Sequence, residues 1–142
     1  MFVVLKSKNV NKAGVLLLAF LTMSSGSYAS TDISIPLTSL LERHALANGI
    51  DIMQLGTNNQ LVVSQDGQTN YAFLLQQGEF NDISLSQHGL GNQSLIRQYG
   101  NNNSADILQH GHQNLIQLEQ WGGRSFSIEQ SGIGAAISIT QF

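Results

Sequence analysis

Cysteine is absent from all 142 residues, so an exported form of this chain is not held together by disulfides. Lysine occurs only at Lys6, Lys8 and Lys12, and the other cations are Arg43, Arg97 and Arg124. Nine acids oppose them: Asp32, Glu42, Asp51, Asp66, Glu79, Asp82, Asp106, Glu119 and Glu129. From residue 30 onward the balance is three minus nine, or −6. That charge argues against nucleic acid, which needs a basic footprint, and against adsorption to acidic lipid. The longest strongly apolar run, Val15 to Met23, has nine residues. A membrane span needs roughly 20. Catalytic constellations are missing too. Asp51, Asp66, Asp82 and Asp106 do not share a column of the repeat described below, so no paired-carboxylate geometry is implied. The nine-residue G-G-x-G-x-D period of calcium-binding solenoids is absent, and Gly89-Leu90-Gly91 lacks the strand-to-helix context of a phosphate loop. No enzyme, metal site or cofactor site is expected.

What is present begins with a leader. Lys6, Lys8 and Lys12 form a basic region, Val15 to Met23 an apolar one, and Ser27-Tyr28-Ala29 a small-x-small cleavage site. Residues 1–29 therefore read as a secretory signal peptide. Residues 30–47 read as a leader or cap. Within them Leu37, Leu40, Leu41 and Leu46 fall at roughly helical spacing, Pro36 suits a first turn, and Asn48-Gly49 suits a stop. A short helix or irregular segment covering the first rung is expected there.

From Asn48 to Phe142 one tile of eleven residues, N-x-Φ-x-Φ-x-Q-x-G-x-x, repeats nine times. Asn opens it at Asn48, Asn59, Asn70, Asn81, Asn92, Asn103 and Asn114; Arg124 and Ala135 open the last two. Gln at position 7 recurs at Gln54, Gln65, Gln76, Gln87, Gln98, Gln109, Gln120, Gln130 and Gln141, nine of the fifteen Gln in the chain. Gly at position 9 recurs at Gly56, Gly67, Gly78, Gly89, Gly100, Gly111, Gly122 and Gly132. The seventh tile is one residue short, near Gly122-Gly123.

Inside each tile the period is two, as in a strand. Positions 3 and 5 are apolar in seventeen of eighteen cases, Ser94 being the exception. Positions 1, 3, 5 and 7 then share an inner face. The outer face is mixed, with Asp and Ser but also Val62, Phe73, Leu75 and Leu95. Position 9 supplies a Gly where the chain must reverse. The expected fold is all-β: a parallel β-solenoid of cross-β type, with a seven-residue strand and a four-residue turn per tile. Two tiles make a 22-residue rung, odd tiles form one sheet and even tiles the other, and rungs stack at about 4.8 Å with the sheets about 10 Å apart. Inward Asn and Gln then lie in columns where each amide meets the next.

An Asn-x5-Gln-x-Gly tile paired into 22-residue units resembles the curlin repeat family, the subunits of curli, an extracellular functional amyloid of bacterial biofilms. The resemblance covers residues 48–142. It implies self-assembly into cell-surface fibres, with outer-membrane secretion and assembly proteins as partners. The family has a major fibre subunit, whose leader is Gly-rich, and a minor nucleator. Residues 30–47 contain no Gly, and the GTNN at Gly56 to Asn59 and the ending Ile139-Thr140-Gln141-Phe142 are similar to the nucleator. The chain departs from that type in its final tiles, which offer only Arg124 against Glu119 and Glu129. The expected function is nucleation of curli fibres by templating the major subunit, through an end formed by Arg124, Phe126, Ile128, Ile137, Ile139 and Phe142. The alternatives are a major fibre-forming subunit and, in another class, a monomeric solenoid binding a polysaccharide.

Two further columns follow from the period. His88 and His110 share position 8 and should stack, as an acid-sensitive or metal-binding pair or simply as polar turn residues. Tyr99, Trp121 and Phe142 share that position on the other edge and should form an aromatic ladder, which stiffens the turn or docks a partner.

Overall fold

The computed structural model describes residues 2–8, 16–19 and 48–142. They form eleven strands: β1 (Phe2–Lys8), β2 (Leu16–Ala19), β3 (Gly49–Thr57), β4 (Gln60–Gln68), β5 (Tyr71–Glu79), β6 (Asp82–Leu90), β7 (Gln93–Tyr99), β8 (Ser104–His112), β9 (Leu115–Trp121), β10 (Ser125–Ile133) and β11 (Ala136–Gln141). Every pairing is parallel. Sheet A runs β1-β4-β6-β8-β10 and sheet B runs β11-β9-β7-β5-β3-β2. The even tiles thus make one sheet and the odd tiles the other, as the alternation requires. Among the described residues there is no helix, so none is long and apolar enough to cross a membrane. The helical or irregular cap expected over 30–47 lies outside the described residues.

Register follows the tile. Ile50 pairs with Ala72 and Ile83 with Ala105, each 22 residues on. Once in each sheet the step falls to 21, where Ser104 meets Ser125 and Leu115 meets Ala136. The residue missing from the seventh tile is therefore absorbed at its turn, without shifting any inward side chain to the wrong face. The inward residues of both sheets merge into one core of fourteen buried side chains from Ile50 to Ile128, with Phe126, Ile137 and Ile139 packed at its end.

Two details differ from the sequence reading. Six of the nine tile strands are nine residues long rather than seven, because the chain stays extended through the Gly of position 9. Reversal is completed at position 11, where a second positive φ recurs in every complete tile: Asn58 at 56°, Thr69 and Phe80 at 57°, Gly91 at 67°, Asn102 at 59°, Gln113 at 56° and Gly134 at 66°. The arch therefore needs two unusual backbone torsions, and only the first was marked by a constant residue. β1 and β2 fall inside the segment read as an export signal. In the full chain they pair with β4 and β3, with Val3 opposite Leu61 and Leu17 opposite Ile50.

Candidate functional site

The Gln column divides into two ladders, one per sheet. In sheet B, Gln54 Nε2 donates to Gln76 Oε1 at 2.6 Å, Gln76 to Gln98 at 3.0 Å and Gln98 to Gln120 at 2.9 Å. In sheet A, Gln65 donates to Gln87 at 2.7 Å, Gln87 to Gln109 at 2.8 Å and Gln109 to Gln130 at 2.9 Å. The second amide hydrogen crosses to the opposite sheet. Gln76 reaches Gln60 O at 3.0 Å, Gln98 reaches Asp82 O at 3.0 Å and Gln109 reaches Gln93 O at 3.0 Å. Each buried Gln therefore fixes the stacking register and ties the two sheets together. That satisfies the donors that burial would otherwise leave costly. Ser94, the inward polar exception, joins the same network. It accepts from Gln87 Nε2 at 3.1 Å and donates to Gln109 Oε1 at 2.8 Å.

The Asn column works differently from the amide-to-amide ladder expected of it. Asn Oδ1 accepts the backbone N–H of the residue one rung along: Asn70 N to Asn48 at 2.9 Å, Asn92 N to Asn70 at 3.0 Å, and Asn114 N to Asn92 at 3.2 Å. Asn Nδ2 donates to the Gly carbonyl of the next arch, from Asn59 to Gly78 at 3.0 Å and from Asn92 to Gly111 at 2.9 Å. The shorter side chain meets backbone where Gln meets its own kind. Among the described residues only Asn103 Nδ2 to Asn81 Oδ1, at 3.0 Å, joins two Asn side chains. Asn and Gly thus form one device, in which each Asn except Asn103 braces the arch above it.

That bracing draws the arches close. A Cβ placed on Gly67, Gly78 or Gly89 would lie 1.9 Å from the carbonyl oxygen of the Gly stacked upon it, and on Gly56 or Gly111 2.0 Å. At these five rungs the residue therefore has to be Gly for two reasons, a positive φ and a contact that no side chain fits. Gly122 and Gly132 differ: a Cβ there meets nothing within 4 Å.

The departures in the last third leave marks. Asn103 Oδ1, beneath the slipped tile that opens at Arg124, is buried without a hydrogen bond, and so is Gln141 Oε1. Gln120 and Gln130 spend their amide hydrogens on backbone carbonyls, Gln120 on Ser104 and Arg124, Gln130 on Leu115 and Ala135. At the other end Gln54 Oε1 and Gln65 Oε1 are buried with no donor. The ladders consequently have a direction, running from unfilled acceptors near β3 and β4 toward β10 and β11. Of the residues expected at the templating end, Ile128 is buried, Phe126, Ile137 and Ile139 are half-buried, and Arg124 and Phe142 are exposed.

Along the turns, His88 and His110 stack with centroids 4.9 Å apart and planes 6° from parallel. His88 Nδ1 lies 3.1 Å from Asp66 Oδ2, in the same column. Among the described residues, no group of three or more His, Cys, Asp and Glu is arranged to hold a metal. The aromatic column forms as expected, Tyr99 to Trp121 at 4.7 Å and Trp121 to Phe142 at 6.0 Å. Their planes are tilted by 31° and 35° within the usual range of aromatic pair distances. Burial, then the nearby Asp106, hold the Asp82 carboxyl above its ordinary range.

Comparison with known proteins gives one family. The model described as Curlin associated repeat matches residues 56–89, 80–111 and 89–122. No curated protein and no solved structure matches the chain.

Proposed function

We propose, from the premise that residues 56–122 carry curlin-associated repeats, that this chain is the minor, nucleating subunit of a curli-type fibre. Curlin repeats imply a structural amyloid subunit that assembles into extracellular curli fibres. The finer reading, a starter that templates the major subunit, rests on the edges of β10 and β11. Among the described residues nothing pairs beyond them, and the core there ends on the half-buried Phe126, Ile137 and Ile139. The space above Gly132 is of the kind that a stacked Gly carbonyl fills at every inner rung of that sheet. An open, parallel sheet edge is a template for another chain. The chain that fits must carry Gly in the same column and an inward amide two residues before it, which describes another copy of the tile.

Export belongs to the same proposal. Cleavage after Ala29 removes β1 and β2 and uncovers β4 and β3, whose Gln65 and Gln54 hold the unfilled acceptors. The partners on this reading are the major curlin subunit and the outer-membrane secretion and assembly proteins, and the site of action is the cell surface. The test is seeding. Purified exported chain, added at low molar ratio to soluble major subunit, abolishes the lag in dye-monitored fibre growth. An unchanged lag rejects nucleation and leaves a fibre-forming subunit. A chain that stays monomeric for days rejects the amyloid reading altogether.

A further inference from the structure

The two ends of the solenoid differ in what their buried amides hold. An inner Gln gives one amide hydrogen to the Gln 22 residues on and the other to the tile before it, as Gln76 does to Gln98 and to Gln60 O, both at 3.0 Å. At β3 and β4 this chain of bonds begins with Gln54 and Gln65, whose Oε1 atoms are buried and accept no hydrogen bond. In the full chain β1 lies against β4, but it sets Ser7, not an amide residue, opposite Gln65. The pairing of β2 with β3 stops at Ile52, two residues before Gln54. The leader strands thus cover this edge without filling its acceptors. At the other end a donor is turned back. Gln130 keeps the crossing bond, to Leu115 O at 3.3 Å. The hydrogen that an inner Gln passes to the next Gln goes instead to Ala135 O at 2.8 Å. Gln141 Nε2 makes a long contact with Phe142 O, at 3.5 Å.

We infer that the β3–β4 edge is the docking surface for the β10–β11 rung of a second copy, and that copies joined this way are related by a half-turn about the solenoid axis. The inference rests on the reading of the chain as a fibre-forming subunit. Polarity follows from the ladders. Nε2 of Gln130 and Gln141 in one copy supplies the donors that Oε1 of Gln54 and Gln65 lacks in the next, whereas two β3–β4 edges brought together would set acceptor against acceptor. The half-turn follows from the winding. Strands β3 to β11 fall by turns in sheets B and A, and both β3 and β11 lie in B. The place preceding β3 along the winding is therefore in sheet A, beneath β4. The place before that is in sheet B, beneath β3. The incoming β11 and β10 take those places in that order. A sheet-B strand thus continues sheet A, and a sheet-A strand continues sheet B. Keeping each strand in its own sheet would leave the place beneath β4 empty, a gap one strand wide, about 4.8 Å, lined by unpaired backbone groups. The tile permits the exchange because both sheets carry the same inward columns. In register, Ile128 and Gln130 fall on Ile52 and Gln54, and Ile139 and Gln141 on Val63 and Gln65. The outer faces of sheets A and B then alternate along each side of the fibre, copy by copy.

A chain without cysteine makes the test clean. Met53, Ser64, Glu129 and Thr140 each occupy the outward position just before the inward Gln of their tile. The half-turn junction sets Thr140 beside Ser64 and Glu129 beside Met53, about 4.8 Å apart, and a disulfide requires Cα atoms within about 7 Å. A junction that keeps the sheets sets Thr140 beside Met53 instead. Fibres of the exported chain are grown from three double variants, oxidised, dissolved and sized without reductant. Thr140→Cys with Ser64→Cys, and Glu129→Cys with Met53→Cys, should each link copies into covalent ladders, and Thr140→Cys with Met53→Cys should not. Bridging of Thr140 to Met53, or no bridging in any variant, overturns the inference while the fibres themselves uphold the subunit reading. Helical reconstruction of parental fibres is the second readout. Neighbouring copies should be related by a half-turn and a rise of four and a half rungs, about 22 Å. A rise of about 24 Å without the half-turn overturns the inference. A chain that forms no fibres rejects the subunit reading, and this junction with it.

Discussion

Replacing Gly89 by Ala tests the stacked arch at an inner rung. The new Cβ lies 1.9 Å from Gly111 O. A carbon–oxygen contact relaxes to about 3.3 Å, so the arches must part by roughly 1.4 Å. A hydrogen bond holds each of these two arches to the rung before it, Asn70 Nδ2 to Gly89 O at 3.0 Å and Asn92 Nδ2 to Gly111 O at 2.9 Å. Their loss costs about 1 kcal/mol each. Forcing a non-Gly residue into the φ of +120° found at Gly89 adds about 1–3 kcal/mol. The expected destabilisation is therefore about 3–5 kcal/mol on these two grounds. Gly132→Ala is the informative partner. Its φ of +146° brings the same kind of torsional penalty, but no atom lies within 4 Å of the new methyl group. Its unfolding penalty should stop at about 1–3 kcal/mol. The clash should appear only when another chain stacks on β10, as loss of seeding. Urea midpoints of freshly desalted chain and lag times with the major subunit measure both quantities. Equal destabilisation by the two variants, or seeding by Gly132→Ala at the parental rate, would refute the reasoning.

Other perturbations separate the parts of the tile. Gln98→Leu deprives Gln76 Nε2, Gln120 Oε1 and Asp82 O of their partner. At about 1–3 kcal/mol for each orphaned buried group, even partial rehydration leaves a loss of several kcal/mol in urea unfolding. A neutral result would remove the ladder from the account. Phe80 is 56% exposed and sits at φ +57°, a conformation that costs most residues about 1–2 kcal/mol. Phe80→Asn, matching Asn58 and Asn102 in the same column, should raise the thermal midpoint, and a lowered midpoint counts against strain at position 11. Asp82 is raised above its ordinary value by burial and by Asp106, so the folded state favours its protonated form. Its ionisation penalty is absent at low pH and grows as pH rises from the ordinary carboxylate value through the raised one. Asp82→Asn should stabilise at pH 7 by less than about 1 kcal/mol and not at pH 3; a benefit equal at both pH values would reject the linkage.

Much of this architecture could be read from the chain because the tile overdetermines it. A period of two inside a period of eleven leaves one assignment of inner and outer faces, and an inward Gln every eleven residues has few ways to be satisfied except by another Gln. Asn was harder. Its side chain is one methylene shorter and sits beside the arch, so it bonds the next rung's backbone rather than the next amide. Position 11 was illegible because Asn58, Thr69, Phe80, Gly91 and Gln113 share no side-chain chemistry, only a backbone torsion imposed by the stack. The positive φ at position 9 suits the Gly found there, but the contact of that Gly with the Gly above depends on the spacing between rungs, which no single tile specifies. Phe73, Leu75 and Leu95 stood out on a mixed outer face, yet no single tile specifies that they are buried.

The central claim is that inward amides 22 residues apart stack directly upon one another, in the subunit and in the fibre it joins. Solid-state NMR of fibres made from chain with labelled Gln side chains measures this. The account predicts close amide contacts between Gln76 and Gln98, 3.0 Å apart in the subunit, and between Gln87 and Gln109, 2.8 Å apart. Contacts between Gln76 and Gln87, or none at a separation of two tiles, would contradict it.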